Sequence, residues 1–362
     1  MKKLLVFGYT MEMGGAEKAL VDTLNYLKDY CEIDLYLINP IGSLMNSIPK
    51  SVTVHKLKEN IFSYLLFRFI PLYRKIKINK IANSKDYFAA FGYMEGRCGT
   101  WVADIKKQIK KIAWIHNDVS KFDIGISTKE IKHTYSNVDK VICVSKDAKK
   151  EFCNKYNIDE SKVKVIYNYI NEQEIIEKSK EFKVNNKVFT FVNVAKMRDQ
   201  KRQDRLVMAA KYLKNLGYEF KIQLIGDGPN LSKISNMVKE NDVSDKIELL
   251  GLQTNPYPYI KNADFFVLSS YMEGYGIVIK ESLLLKTKIL TTDITGPREI
   301  LENGKYGIIV KNNDEDIKYK MKEILDDPKK FAYLDKNMLN YKGDNEEIVK
   351  ETLKLIDEEV HK

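Results

Sequence analysis

Apolar and polar positions alternate along this chain in two ways that recur from end to end. Short apolar runs rich in β-branched and aromatic residues appear as KLLVFGYT, CEIDLYLIN, DYFAAFG, KKIAWIHN and KVICVS in the first half. In the second half they are FTFVNVAK, FKIQLIGDG, KIELLG, ADFFVLSS and KILTTD. Between them lie stretches with helical spacing, such as the one opened by Gly14-Gly15 and running through Lys28. Such runs predict strands, and strands alternating with helices predict a parallel sheet covered on both faces. The alternation occurs twice, which predicts an α/β chain of two doubly wound, Rossmann-like domains facing each other. The polar stretch around Asn168–Asn186 separates them, giving domains 1–170 and 185–344. NEEIVKETLKLIDEEV predicts a terminal amphipathic helix, about 345–362, that packs back on the first domain. Neither a fixed-period repeat nor a low-complexity tract is present.

Composition narrows the classes. The chain has 362 residues, 44% hydrophobic and 30% charged, which fits a folded two-domain protein and excludes a disordered chain or a small disulfide scaffold. The apolar run Leu4–Phe7 is too short for a signal peptide, and Glu12 and Glu17 follow it. No stretch is long and apolar enough to span a membrane, so a cytoplasmic protein is expected. Cys31, Cys98, Cys143 and Cys153 lack metal-ligand spacing and read as free thiols of a reducing compartment. The net charge is +10, with 30 basic and 21 acidic residues in 1–180 against 30 and 29 in 181–362. A surplus in the first half suggests an anionic partner there, or a general lysine bias.

Ligands of open parallel sheets sit beyond the carboxyl ends of strands, so the residues that follow each strand carry the chemistry. Gly14-Gly15 after the first strand lets backbone N–H groups approach a ligand and opens a helix; alone, such a pair is as readily structural. It is not GxGxxG, so a nicotinamide site is unsupported. Lys196, Arg198, Lys201 and Arg202 crowd one strand-to-helix junction and can converge on a diphosphate, or form a solvated basic turn. Gly226-Asp227-Gly228-Pro229 ends the next strand in a tight turn. The strongest signal is Ser269–Glu281, where a glycine-rich loop leads into a helix near Gly276. Glu273 in the loop and Glu281 one turn into the helix can face one cleft, and carboxylates there suit sugar and ribose hydroxyls.

At these residues the chain resembles the retaining nucleotide-sugar glycosyltransferases of family four, which have the GT-B fold of two Rossmann-like domains across a cleft. The family's E-x7-E pattern falls on Glu273 and Glu281, its donor-phosphate segment on Ala195–Lys201, its Gly-Asp-Gly-Pro turn on Gly226–Pro229 and its Gly-Pro-x-Glu loop on Gly296–Glu299. In the first half, GGAEKAL matches the glycine loop, WIHND the strand-end histidine and VIYN the interdomain segment. Three positions depart from the pattern. Ala195-Lys196 stands for Gly-Arg, which keeps the charge but loses the bidentate fork. Lys286-Thr287-Lys288 stands for Gly-Lys-Pro, and Asn168-Tyr169 puts a ring where glycine is usual.

The resemblance implies transfer of a sugar from a nucleotide diphosphate, UDP by family frequency, with retained configuration. It implies no metal cofactor, and no acidic DxD cluster stands where one would sit; cations then stabilise the leaving group. Lys196 and Lys201, with Arg198 as a third, would hold the diphosphate beside Gly226, Gly228 and the backbone of Gly274, Tyr275, Gly276 and Ile277. Glu281 would hold the ribose, Glu273 the sugar hydroxyls, and His116 would reach the donor sugar near its reacting carbon. Gly14 and Gly15 would face the diphosphate and acceptor, and Asp118 would orient His116 or bind acceptor. The apolar stretch Ile61–Leu72 precedes Arg74, Lys75, Lys77 and Lys80, with Lys106, Lys107, Lys110 and Lys111 beyond. Such a face can lie on an anionic membrane surface, as a lipid-linked glycan acceptor in surface polysaccharide or glycoprotein glycan assembly would require, or fold as a buried hairpin. A GDP-sugar mannosyl transferase and a nucleotide-sugar epimerase are the alternatives. A nucleic-acid partner is unsupported, since basic and aromatic residues do not interleave and no helix-turn-helix appears.

Overall fold

The protein is described by a computed structural model for residues 1–57, 65–67, 70–117, 119 and 124–357. It divides into two compact units, Met1–Tyr169 with Asp344–Lys362, and Ile170–Gly343.

In the first unit the described residues form a seven-stranded sheet: β1 (Lys2–Gly8), β2 (Cys31–Leu37), β3 (Thr53–Lys56), β4 (Tyr87–Gly92), β5 (Lys110–Ile115), β6 (Lys140–Cys143) and β7 (Val163–Val165). All pairings are parallel, in the order β3-β2-β1-β4-β5-β6-β7. Central strands of such a sheet are covered on both faces, which is why Leu4–Phe7 and Ala89–Phe91 are apolar without alternation and wholly buried. Helices Gly15–Leu27, Pro71–Ala82, Arg97–Ala103, Thr128–Ser136 and Lys146–Tyr156 form the crossovers. Their starts follow from local chemistry where a cap exists. Ser127 and Glu130 make a reciprocal capping box, and Ser145 caps the next helix through Ala148 N–H; each is worth about 1 kcal/mol. Trp101 is wholly buried and meets the Phe7 ring edge-on at 5.9 Å, pinning its helix to β1.

The helix Asn345–Asp357 belongs to this first unit. Its Ile348, Thr352, Leu355 and Ile356 are buried. Lys164 Nζ lies 2.5 Å from Glu351 and Lys2 Nζ 2.7 Å from Asp357, so both ends of the sheet's chain grip it. The Tyr169 ring packs at a tilt on Tyr26, centroids 4.8 Å apart, within the same unit, which is where the unexpected ring goes. Returning this acidic helix to its unit also redistributes the charge. The first unit carries 31 basic and 25 acidic residues, +6, and the second 29 and 25, +4. The lopsidedness read along the sequence mostly disappears.

The second unit holds β8 (Thr190–Val194), β9 (Lys221–Ile225), β10 (Ile247–Gly251), β11 (Phe265–Leu268), β12 (Lys288–Thr292) and β13 (Ile308–Val310) in a parallel sheet ordered β10-β9-β8-β11-β12-β13. The pattern of apolar runs did not predict β3, β7 and β13. All three are edge strands of three or four residues, which pair on one side and bury too little to need a long apolar run. In each sheet the strand order reverses once, between β1 and β4 and between β8 and β11. These are the switch points at which crevices open in doubly wound sheets. The four cysteines are buried and unpaired, and burial raises the Cys31 thiol to about 11.

Candidate functional site

In the second unit the loops after β8 and β11 meet at the switch point. Lys201 follows β8 and Glu273 follows β11, 72 residues later. Lys201 Nζ lies 2.5 and 2.6 Å from the two Glu273 carboxylate oxygens, with the side chains 16% and 10% exposed. Ser270 Oγ donates to Glu273 Oε1 at 2.7 Å. The two loops are also laced through their backbones. Tyr271 N–H donates to Gln200 C=O at 2.7 Å, and Ser269 Oγ to Lys201 C=O at 2.9 Å. Buried Arg205 binds Asp314 at 2.7 Å, Asn312 at 2.7 Å and Ser269 C=O at 3.1 Å, fixing the second loop from below. Arg205 and Asn312 were not singled out by sequence reasoning; they tie the loops across long separations and have no motif of their own, whereas Ser270 lies within the Ser269–Glu281 segment and its bond to Glu273 spans three residues.

The other residues expected to handle the donor sit on the same strand ends. Lys196 is half-buried, and Arg198 is exposed with no ion-pair partner among the described residues. The Gly226–Gly228 turn runs directly beneath 195–197: Ala195 N–H donates to Ile225 C=O and Met197 N–H to Asp227 C=O. A Cβ at Gly226 would lie 2.1 Å from Ala195 O, and one at Gly228 2.4 Å from Met197 O. The helix Ile277–Leu284 begins after Gly274, Tyr275 and Gly276, and no side chain caps it. The Ile279 N–H donates to Gly276 C=O at 2.8 Å, and those of Ile277 and Val278 precede the first intrahelical acceptor, the arrangement that suits an anion. Gly296 has φ of 68° and packs on Tyr275, its notional Cβ 2.4 Å from Tyr275 O, so the Gly296-Pro297 turn props the helix start. Glu281 lies in the second turn, 5% exposed, and accepts from Tyr257 Oη at 3.1 Å. Lys286, where glycine is usual, takes the left-handed conformation itself at φ 62° and sends Nζ to Met338 C=O at 2.6 Å.

In the first unit, Gly14 precedes the helix Gly15–Leu27. Among the described residues a Cβ at Gly15 would meet nothing within 4 Å, so none of them requires glycine there. Over Gly14 the Glu17 carboxylate folds back, within 2.3 Å of a notional Cβ. His116 follows β5 and is 7% exposed. Its Nε2 lies 2.7 Å from Tyr93 C=O, which can only accept, so Nε2 carries the proton and Nδ1 is a bare acceptor. Nδ1 is buried and has no hydrogen-bond partner among the described residues. Burial holds the imidazole below its ordinary range, against the opposing pull of the Glu95 charge and the Tyr93 bond. Glu95, three residues past β4, accepts from His116 N–H at 3.2 Å and from the Asn117 side-chain amide. The strand-end rule applied to DYFAAFG would have reached it. Asp118 lies outside the described residues, as do 61–64 and 68–69 of the apolar stretch.

The basic flank of that stretch is thinner than the sequence suggests. Arg74 is buried against Asp104 at 3.2 Å, Lys110 is buried, Lys77 donates to Leu57 C=O and Lys107 to Lys85 C=O. Ile70, Leu72 and Ile76 are exposed, Leu72 by 68% and Ile76 by 62%. Among the described residues no helix is long and apolar enough to cross a membrane.

Comparison with known proteins agrees with this layout. The N-terminal part, residues 13–174, matches the model of Glycosyltransferase Family 4, and residues 174–340 match that of Glycosyl transferases group 1. A Campylobacter jejuni protein, N-acetylgalactosamine-N,N'-diacetylbacillosaminyl-diphospho-undecaprenol 4-alpha-N-acetylgalactosaminyltransferase, is 26% identical over 377 residues, covering 98% of this chain and all of that one. Anabaena Alr3699/HepE, solved with UDP and glucose, superposes with a TM-score of 0.77 at 18% identity over 98% of this chain and 100% of that chain. A mutant of S. aureus TarM, solved with Fondaparinux, alpha-GlcNAc-glycerol and UDP, gives 0.77 at 14% identity over 99% and 100%. The two family models together take in residues 13–340, and the chain belongs to the family-four, group 1 glycosyl transferases, a glycosyltransferase of GT-B fold.

Proposed function

We propose that this glycosyltransferase takes a sugar from a UDP-sugar and passes it, with retained configuration, to a lipid-linked glycan in bacterial surface polysaccharide or glycoprotein glycan synthesis. The observation that carries the reading is the Lys201–Glu273 pair at the β8/β11 switch point, a nearly buried ammonium and carboxylate beside a helix start no side chain caps. An ammonium has three protons, so Lys201 can keep Glu273 and still reach a phosphate oxygen. With Lys196 and Arg198 it would offset the charge that grows on the departing diphosphate. The backbone of Tyr275–Ile277 adds donors. Glu273 accepts hydroxyls of the donor sugar, and Glu281, held by Tyr257, accepts those of the ribose. In the reaction the bond from the anomeric carbon to the phosphate oxygen breaks and one to the acceptor oxygen forms. The acceptor proton passes to the departing phosphate. His116 acts as a neutral acceptor through Nδ1 toward a sugar hydroxyl. UDP in the HepE and TarM complexes and the diphospho-undecaprenol acceptor in the Campylobacter relative's name support the choice of substrates.

Thermal shift over UDP-, GDP- and ADP-sugars tests the donor, since a ligand of the folded state raises Tm. A shift with UDP-sugars alone is expected; a larger one with GDP-sugars would transfer the reading to a GDP donor. The acceptor reading includes a peripheral membrane contact through Leu72 and Ile76, one helical turn apart. Sedimentation with phosphatidylglycerol vesicles that weakens with salt is expected, and no binding at low salt overturns that contact.

A further inference from the structure

Three strand ends of the first unit converge on one residue that the proposed donor chemistry does not use. Tyr9, after β1, donates from Oη to Glu95 C=O at 2.9 Å and accepts from Arg97 N–H at 3.0 Å. Glu95 itself follows β4, and its carboxylate takes His116 N–H on one oxygen and the Asn117 amide on the other, both after β5. β1, β4 and β5 are neighbours across the switch point of this sheet. The main chain at Glu95 has little freedom. Gly96 has φ of 77° and lies close against Ile124 C=O, where a Cβ would come within 2.3 Å. Two donors on two oxygens demand a group that only accepts. A glutamine would turn an N–H of its own toward one of them.

The same loop holds the other end of the histidine, through Tyr93 C=O at Nε2. His116 is thus fixed by its backbone through Glu95 and by its ring through Tyr93, two residues apart on one loop. What this double hold leaves over is the buried Nδ1, which has no partner among the described residues. We infer that Glu95 is a positioning residue for the transfer reaction: it locks the loop after β5 to the loop after β4 and so sets where the Nδ1 lone pair of His116 stands. This rests on the donor-sugar role of His116 given above. A displacement of about 1 Å at such a group can cost on the order of 100-fold in rate.

The experiment compares Glu95→Gln, His116→Ala and the double variant, with UDP release from a UDP-sugar as the readout. Glu95→Gln is expected to lower kcat roughly 10- to 100-fold with little change in donor KM or Tm, and to cost nothing further in the His116→Ala background. A full rate in Glu95→Gln, or equal losses in both backgrounds, overturns the inference. A second readout is independent of turnover. In nitrogen-detected NMR of the wild type, His116 is expected as the Nε2–H tautomer, and Glu95→Gln should shift or split its ring signals. Unchanged ring signals would sink the positioning role even in a protein that shows no transfer. Absence of UDP release from every UDP-sugar by the wild type would count against the donor reading alone.

Discussion

At the scale of single residues, the decisive arrangement is the Lys201–Glu273 pair, and it changes what a substitution there should do. From charge alone, Lys201→Ala should cost turnover more than stability. With Glu273 only 10% exposed, removing the lysine leaves a nearly buried carboxylate without its counter-charge, at about 3 kcal/mol. The double variant Lys201→Met, Glu273→Gln removes both charges, so urea melts should recover to within about 1 kcal/mol of the wild type while turnover stays lost. Recovery of turnover in the double variant would remove both residues from the chemistry. The strand-end positions of both residues were legible in the sequence. Their mutual bond was not, since 72 residues separate them. His116 yields a pH dependence. Its imidazole is held below the ordinary value of 6.5, so in mild acid the unfolded chain takes up a proton that the folded chain refuses. The stability it contributes is complete above about pH 6.5 and is lost as pH falls from there through the folded value. Melting temperature should therefore drop between pH 7 and pH 5, and less steeply in His116→Gln.

At the scale of elements, two glycines make opposite demands. Gly296 needs its φ of 68° and has Tyr275 O where a Cβ would go, so Gly296→Ala should cost about 2 kcal/mol and shift the start of the helix Ile277–Leu284. The proposed UDP affinity should fall with it, read by calorimetry. No described residue comes within 4 Å of a Cβ on Gly15, so Gly15→Ala should leave Tm within about 1 °C; a loss of rate there would mark a ligand's close approach. The apolar runs made ten of the strands readable because those strands are central or long. β3, β7 and β13 were not, because three or four residues at a sheet edge need no such run. Lys286 shows the converse limit of motif reading. Where the family pattern has glycine, this chain keeps the left-handed turn and accepts the strain, anchoring Nζ on Met338 C=O.

At the scale of the whole molecule, the unit Ile170–Gly343 is an insertion within the other, since the chain returns to the first unit at Asp344. Deleting 344–362 should therefore destabilise the sheet β1–β7 by uncovering the surface now held by Ile348, Leu355 and Ile356, while the UDP binding proposed for the second unit survives. Two calorimetric transitions, the earlier one moved down by several degrees, are the expected result; a single unshifted melt would show the helix to be dispensable.

The same return of the chain bears on how the protein is made. A ribosome delivers residues in order, and domains generally fold as they emerge. Here the sheet that emerges first must wait, its Lys2 and Lys164 without Glu351 and Asp357, until the whole second unit has been synthesised and the last helix is released. The first unit begun is the last one finished, so a nascent chain stalled near Gly343 would hold a completed second unit and an unfinished first one.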